Sequence, residues 1–130
     1  MPSTAQTTES ATQAVNNMVT NLRSEYRSKG LRENVSGTVQ FGLFGNLVGA
    51  EVAAEQRITV GKNGDYVCVR IVTVVACSGF GCTDPLAEVE TRNLIFDCDH
   101  GDITDESRPA ASKQAQAHAE TCRALPRPTA

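Results

Sequence analysis

The residues best suited to chemistry are five cysteines (Cys68, Cys77, Cys82, Cys98 and Cys122), two histidines (His100 and His118) and the acids around position 100. An odd number of thiols cannot all pair within one chain, so one is free or bonds to another copy. Cys77, Cys82, Cys98 and His100 add up to a four-ligand zinc set. However, C-x4-C is loose ligand spacing, and the paired C-x-x-C knuckles of structural zinc are missing. His118-Ala119-Glu120 matches the H-x-E half of a zinc deaminase signature without its P-C-x-x-C half, and in an alanine-rich helix it reads as a solvated face. Asp97-Cys98-Asp99-His100-Gly101-Asp102 starts like a calcium loop. Yet Asp102 stands where an EF-hand needs glycine, and Arg108 where it needs glutamate. An acidic turn capping the next helix is the simpler reading. Both histidines lie in the C-terminal third, so no nucleophile, base and orienting group can be assembled, and no phosphate-cradling glycine loop occurs. The expectation is a protein that is not an enzyme, with no cofactor and no metal.

Positioning these residues falls to two helices and a sheet. The chain has 130 residues, 40% of them hydrophobic, which suits one domain with one sizeable core. No run of about 18 apolar residues exists to cross a bilayer. Residues 1–25 have no basic start followed by an apolar run, so the chain is expected to be made and used inside the cell or exported by a route its sequence does not show. The net charge of −3 is uneven, since residues 84–106 hold eight acids against one base, Arg92. An acidic mean charge disfavours indiscriminate nucleic-acid binding but leaves room for a basic stripe on one face.

Residues 4–29 are predicted to form a helix, because Ala11, Ala14, Val15, Met18, Val19, Leu22 and Tyr26 recur at spacings of three and four. Thr8, Ser10 and Thr12 offer capping oxygens, and Gly30 supplies the stop. From there to about residue 98 the period is two. Val35, Val39 and Phe41 form one strand, and Gly42, Gly45, Asn46 and Gly49 a flexible connection. Next, Val52, Ala54, Ile58 and Val60 oppose Glu51, Glu55, Arg57 and Thr59. Asn63-Gly64 signals a tight hairpin into Tyr66–Cys77, whose Val67, Val69, Ile71, Thr73 and Val75 share a face. A glycine-rich loop over 78–85 and a strand over 86–98 follow. Thr104–Ala124 reads as a second helix, in which Pro109 is tolerable only if the start lies near Ser107. The fold class is α+β: one antiparallel sheet with a helix at each end.

The middle of the chain has an ordered set of features. A strand, Gln56-Arg57-Ile58-Thr59-Val60, passes through a tight hairpin into Tyr66–Ile71. A cysteine-bracketed loop, Cys77-Ser78-Gly79-Phe80-Gly81-Cys82, precedes Thr83-Asp84-Pro85, and a long strand runs directly into Ile103-Thr104-Asp105-Glu106 and a helix. Over about residues 51–107 this order resembles the coat proteins of the single-stranded RNA bacteriophages, in particular the branch with a cysteine pair in the loop between the two long strands. The resemblance implies an interlocked homodimer, with the C-terminal helix laid across the partner's sheet, and assembly into an icosahedral T=3 shell around the genome. It implies inter-subunit disulfides at Cys77 and Cys82 and location in the virion after assembly in the host cytoplasm. It also implies single-stranded RNA on the inner sheet face at Arg57, Thr59, Arg70 and Arg92, including capture of a translational-repressor hairpin. The family opens with a β-hairpin where this chain reads as a helix. The rival reading is a small bacterial α+β binding or adhesion module with an intrachain Cys77–Cys82 bond. The two differ in one respect. A coat protein needs its terminal helices on another subunit, whereas a module buries both on its own sheet.

Overall fold

The computed structural model describes residues 10–126 apart from positions 65, 83, 84, 96 and 97. Helix α1 (Ala11–Ser28) starts where the Ser10 side chain accepts a hydrogen bond from the Gln13 N–H. It ends at Gly30, whose φ of +75° turns the chain out. Positions 4–9 of the expected helix lie outside the described residues. Strands β1 (Val35–Gly45), β2 (Glu51–Asn63), β3 (Tyr66–Cys77) and β5 (Leu86–Leu94) form one antiparallel sheet in the order β1-β2-β3-β5. The loop after β3 contains a two-residue strand, β4 (Gly79–Phe80), which pairs with β6 (Leu125–Pro126) near the C-terminus. A single turn, α2 (His100–Ile103), leads into α3 (Ser107–Thr121). Pro109 falls in the first turn of α3, where its missing N–H is one of the helix's orphans, and so the helix starts where the proline requires.

The strand faces follow the period-two pattern, because each cross-strand pair places its two residues on one side. Val35↔Val60↔Val69↔Leu94 is one such row, and Ile58↔Ile71 belongs to the same face. Both helices cover this face. Under α1, Val15, Val19, Leu22 and Tyr26 pack on Val35, Val39, Ile58, Val60, Val69 and Ile71. Under α3, Ala111, Ala115 and Ala119 pack on Val52, Ala54 and Val75. Alanine at every fourth position lets α3 lie close to the sheet, but it buries little apolar area per residue.

A buried polar seam separates the two clusters. Gln56 and Thr73, both inside the sheet face, meet Thr104, Ser107 and Arg108. The Gln56 amide Nε2 donates to Thr73 Oγ1 at 3.1 Å, while Arg108 Nη1 donates to Gln56 Oε1 at 3.2 Å and to the Gly101 carbonyl at 3.1 Å. Arg108 Nη2 reaches Thr12 Oγ1 on α1, so one guanidinium ties together both helices and the sheet. Such a seam specifies register only if every member is satisfied, and here the donors and acceptors close on one another.

Within the single chain, α1 and α3 both pack on its own sheet. Several expectations change. The connection after β2 sits one step further on than the Asn-Gly pair suggests, because Asn63 still pairs with Tyr66 and Gly64 carries the positive φ. The glycines at 42 and 45 lie within β1, which absorbs a bulge between Gln40 and Gly42. The turn after β1 is pinned rather than loose, since Asn46 Oδ1 accepts the N–H groups of Val48 and Ala50 at 3.0 and 2.9 Å. Strand β5 ends at Leu94, short of Cys98, and Phe96 and Asp97 lie outside the described residues. Helix α3 stops at Thr121 rather than Ala124, because Cys122 is already extended.

Candidate functional site

The sheet face away from the helices is open. Its central rows are Ser36↔Thr59↔Arg70↔Asn93, then Thr38↔Arg57↔Val72↔Thr91, then Gln40↔Glu55↔Val74↔Glu88. Thr59 and Arg70 are therefore direct cross-strand neighbours, and Arg57 stands two residues along β2 on the same side. Two shallow hollows meet at this pair. One, of about 320 Å³, is bounded by Asn34, Gly61, Cys68 and Asn93; the other, of about 360 Å³, by Arg57, Val72, Leu86 and Glu88. Arg57 Nε donates to Glu55 Oε2 at 2.8 Å, so its charge is already partly answered. Arg92 does not join the group. It pairs with Ile71, whose side chain is in the core, so its register places it on the helix side of the edge strand.

The cysteines sort themselves differently from the sequence pattern. His100 and Cys98 stay apart from the loop cysteines. His100 is buried and bonds the Ile95 carbonyl through Nε2 at 2.7 Å, and Cys98 Sγ also bonds that carbonyl, at 3.3 Å. Asp99 acts as a cap. Its Oδ1 accepts from the Asp102 N–H and from Asn16 Nδ2, both at 2.9 Å. These bonds, Asn16 foremost, hold its carboxyl below the usual value.

Cys77 at the end of β3, Cys82 in the loop, His118 on α3 and Cys122 just past α3 converge instead, with all four donor atoms within 4.8 Å of one another. The Sγ atoms of Cys77 and Cys122 are 3.9 Å apart, as are those of Cys82 and Cys122, and Cys82 Sγ lies 3.5 Å from His118 Nε2. Local structure supplies the placement. Residues 118 and 122 are one helical turn apart, and the β4–β6 ribbon holds the loop against the C-terminal segment. Asn46 Nδ2 donates to the Ala124 carbonyl at 2.9 Å and anchors that segment from the other side. Partial burial pushes the Cys77 thiol up to about 11, whereas the Ala124 N–H holds Cys122 below the usual thiol value. Read as a solvated helix face, His118 concealed its role. The spacing that points to it is H-x3-C at the end of a helix, paired with the upstream C-x4-C.

No family model, curated protein or solved structure matches this chain. Function has to be argued from the two sites themselves.

Proposed function

We propose that the chain is a structural coat protein that dimerises, assembles into a closed shell and takes single-stranded RNA on its open sheet face. One observation carries this reading: Arg57, Thr59 and Arg70 stand together on a broad sheet surface that neither helix covers. Arginine on such a surface pairs with phosphate, while threonine and the hollows beside it suit splayed bases. Glu55 and Glu88 on the same face limit the positive field, which fits a surface that touches RNA at a few points rather than a general phosphate binder. The proposed dimer is the interlocked one, in which α3 exchanges between two subunits and rebuilds the same alanine-to-sheet contact on the partner. Phe80 and Leu125, paired across β4 and β6 yet each 62% exposed, supply apolar surface for contacts between dimers.

A specific observation favours the second reading, a monomeric binding module: both helices already bury their apolar faces on this chain's own sheet. Sedimentation of the full chain at micromolar concentration separates the two. Dimers or larger species support the coat reading, and a strictly monomeric species contradicts it.

A further inference from the structure

We propose that Cys77, Cys82, His118 and Cys122 bind one zinc ion as a closed, structural site. Three of the ligand distances match that ion, and all four donor atoms lie within 4.8 Å of one another. Zinc–sulfur bonds of about 2.3 Å and a zinc–nitrogen bond of about 2.0 Å at tetrahedral angles put sulfurs about 3.8 Å apart and sulfur and nitrogen about 3.5 Å apart. The observed separations are 3.9 Å for two sulfur pairs and 3.5 Å for the sulfur–nitrogen pair. Three soft sulfurs and one imidazole select zinc over calcium or magnesium, which take oxygen. Four protein ligands leave no open position for a substrate, so the site is structural.

The Gly79 N–H, two residues after Cys77, donates to Cys77 Sγ at 3.3 Å. That bond supports negative sulfur and orients it. Gly79 permits this closeness, because a Cβ there would lie 2.5 Å from the Ala124 Cβ. A hollow lined by Gly81, Cys82, His118 and Cys122 leads from solvent to the ligands. On binding, the three thiols lose their protons to solvent and form three sulfur–zinc bonds. The neutral imidazole coordinates through Nε2, leaving the site with a net charge of −1.

The site also answers a weakness of the fold. The apolar cluster under α3 is covered on the helix side by alanines, and zinc would lock the far end of α3 and the C-terminal segment to the β3–β5 loop. This assignment does not depend on the coat reading. It does engage both Cys77 and Cys82 with one ion and so withdraws them from disulfides between subunits.

The test uses the full chain, purified under reducing conditions. Metal analysis is expected to find one zinc per chain, and cobalt added to the zinc-stripped protein is expected to give the visible bands and sulfur-to-metal charge transfer of a tetrahedral S₃N site. His118→Ala and Cys122→Ser should lose the metal, while Cys68→Ser and Cys98→Ser retain it. His118→Cys, which keeps four ligands, should still bind cobalt with stronger charge transfer. A reduced, folded wild-type chain that neither retains zinc nor gives the cobalt spectrum would overturn the proposal. A disulfide among Cys77, Cys82 and Cys122 in protein from a reducing cytosol, or equal zinc loss in the Cys68 and Cys98 variants, would do the same.

Discussion

At the scale of single residues, the two sides of the sheet make different demands on otherwise similar arginines. Arg70 stands beside Thr59 on the open face, whereas Arg92 is turned to the helix side by its pairing with Ile71. Each phosphate contact to a single strand contributes about 0.7 to the slope of log affinity against log salt. Arg70→Ala is therefore expected to weaken binding of a single-stranded RNA and flatten that slope by about 0.7, and Arg92→Ala to leave both unchanged. Equal effects from the two variants would show that the open face is not the binding surface. Asp99 supplies a pH dependence. Its folded value lies below the ordinary 3.8, so its contribution is complete above about pH 3.8 and is lost as pH falls through the folded value. Asp99→Asn keeps a capping oxygen but does not titrate. The stability gap between the two proteins in denaturant titrations should close in acid, and a gap independent of pH would contradict the Asn16–Asp99 assignment.

At the scale of elements, the fit of α1 against the α2 turn depends on the absence of one side chain. A Cβ on Gly101 would lie 2.2 Å from the Thr12 carbonyl oxygen, and the obstacle is backbone. Gly101→Ala should cost about 2–3 kcal/mol in denaturant titrations. An unchanged midpoint would mean that the two segments are not in contact. Much of this layer was legible in the sequence. The buried and open faces of β2 and β3 followed from alternation, because a one-residue slip would have turned Val52, Ile58, Val60, Val69 and Ile71 to the open face. The start of α3 followed from Pro109. What escaped was set by contacts between distant segments. Cys82 and Cys122 meet across 40 residues because α3 docks on the sheet and β6 pairs with β4, and local spacing carries neither fact. His100, counted as a ligand by proximity in sequence, is spent on the Ile95 carbonyl. The Asn-Gly turn slipped by one because the β2–β3 ladder runs to Asn63 and hands the left-handed position to Gly64.

At the scale of the whole molecule, one fold offers an open, mixed-charge sheet on one side and two docked helices on the other, with a metal-ready clasp at the chain's end. The clasp tightens the domain whatever the domain does. The open face and the exposed Phe80–Leu125 ribbon are the parts that look outward, and the proposed coat reading assigns them to RNA and to other copies respectively. The exchange of α3 that would interlock two subunits needs no contact absent from the single chain, only its transfer to a partner. Assembly is therefore the property that separates a coat protein from a binding module built on the same elements. The most direct measurement is negative-stain microscopy of the expressed full chain, with absorbance at 260 and 280 nm read on the same fraction. The account predicts closed shells of uniform size whose absorbance is dominated by nucleic acid; a small species free of nucleic acid would contradict it.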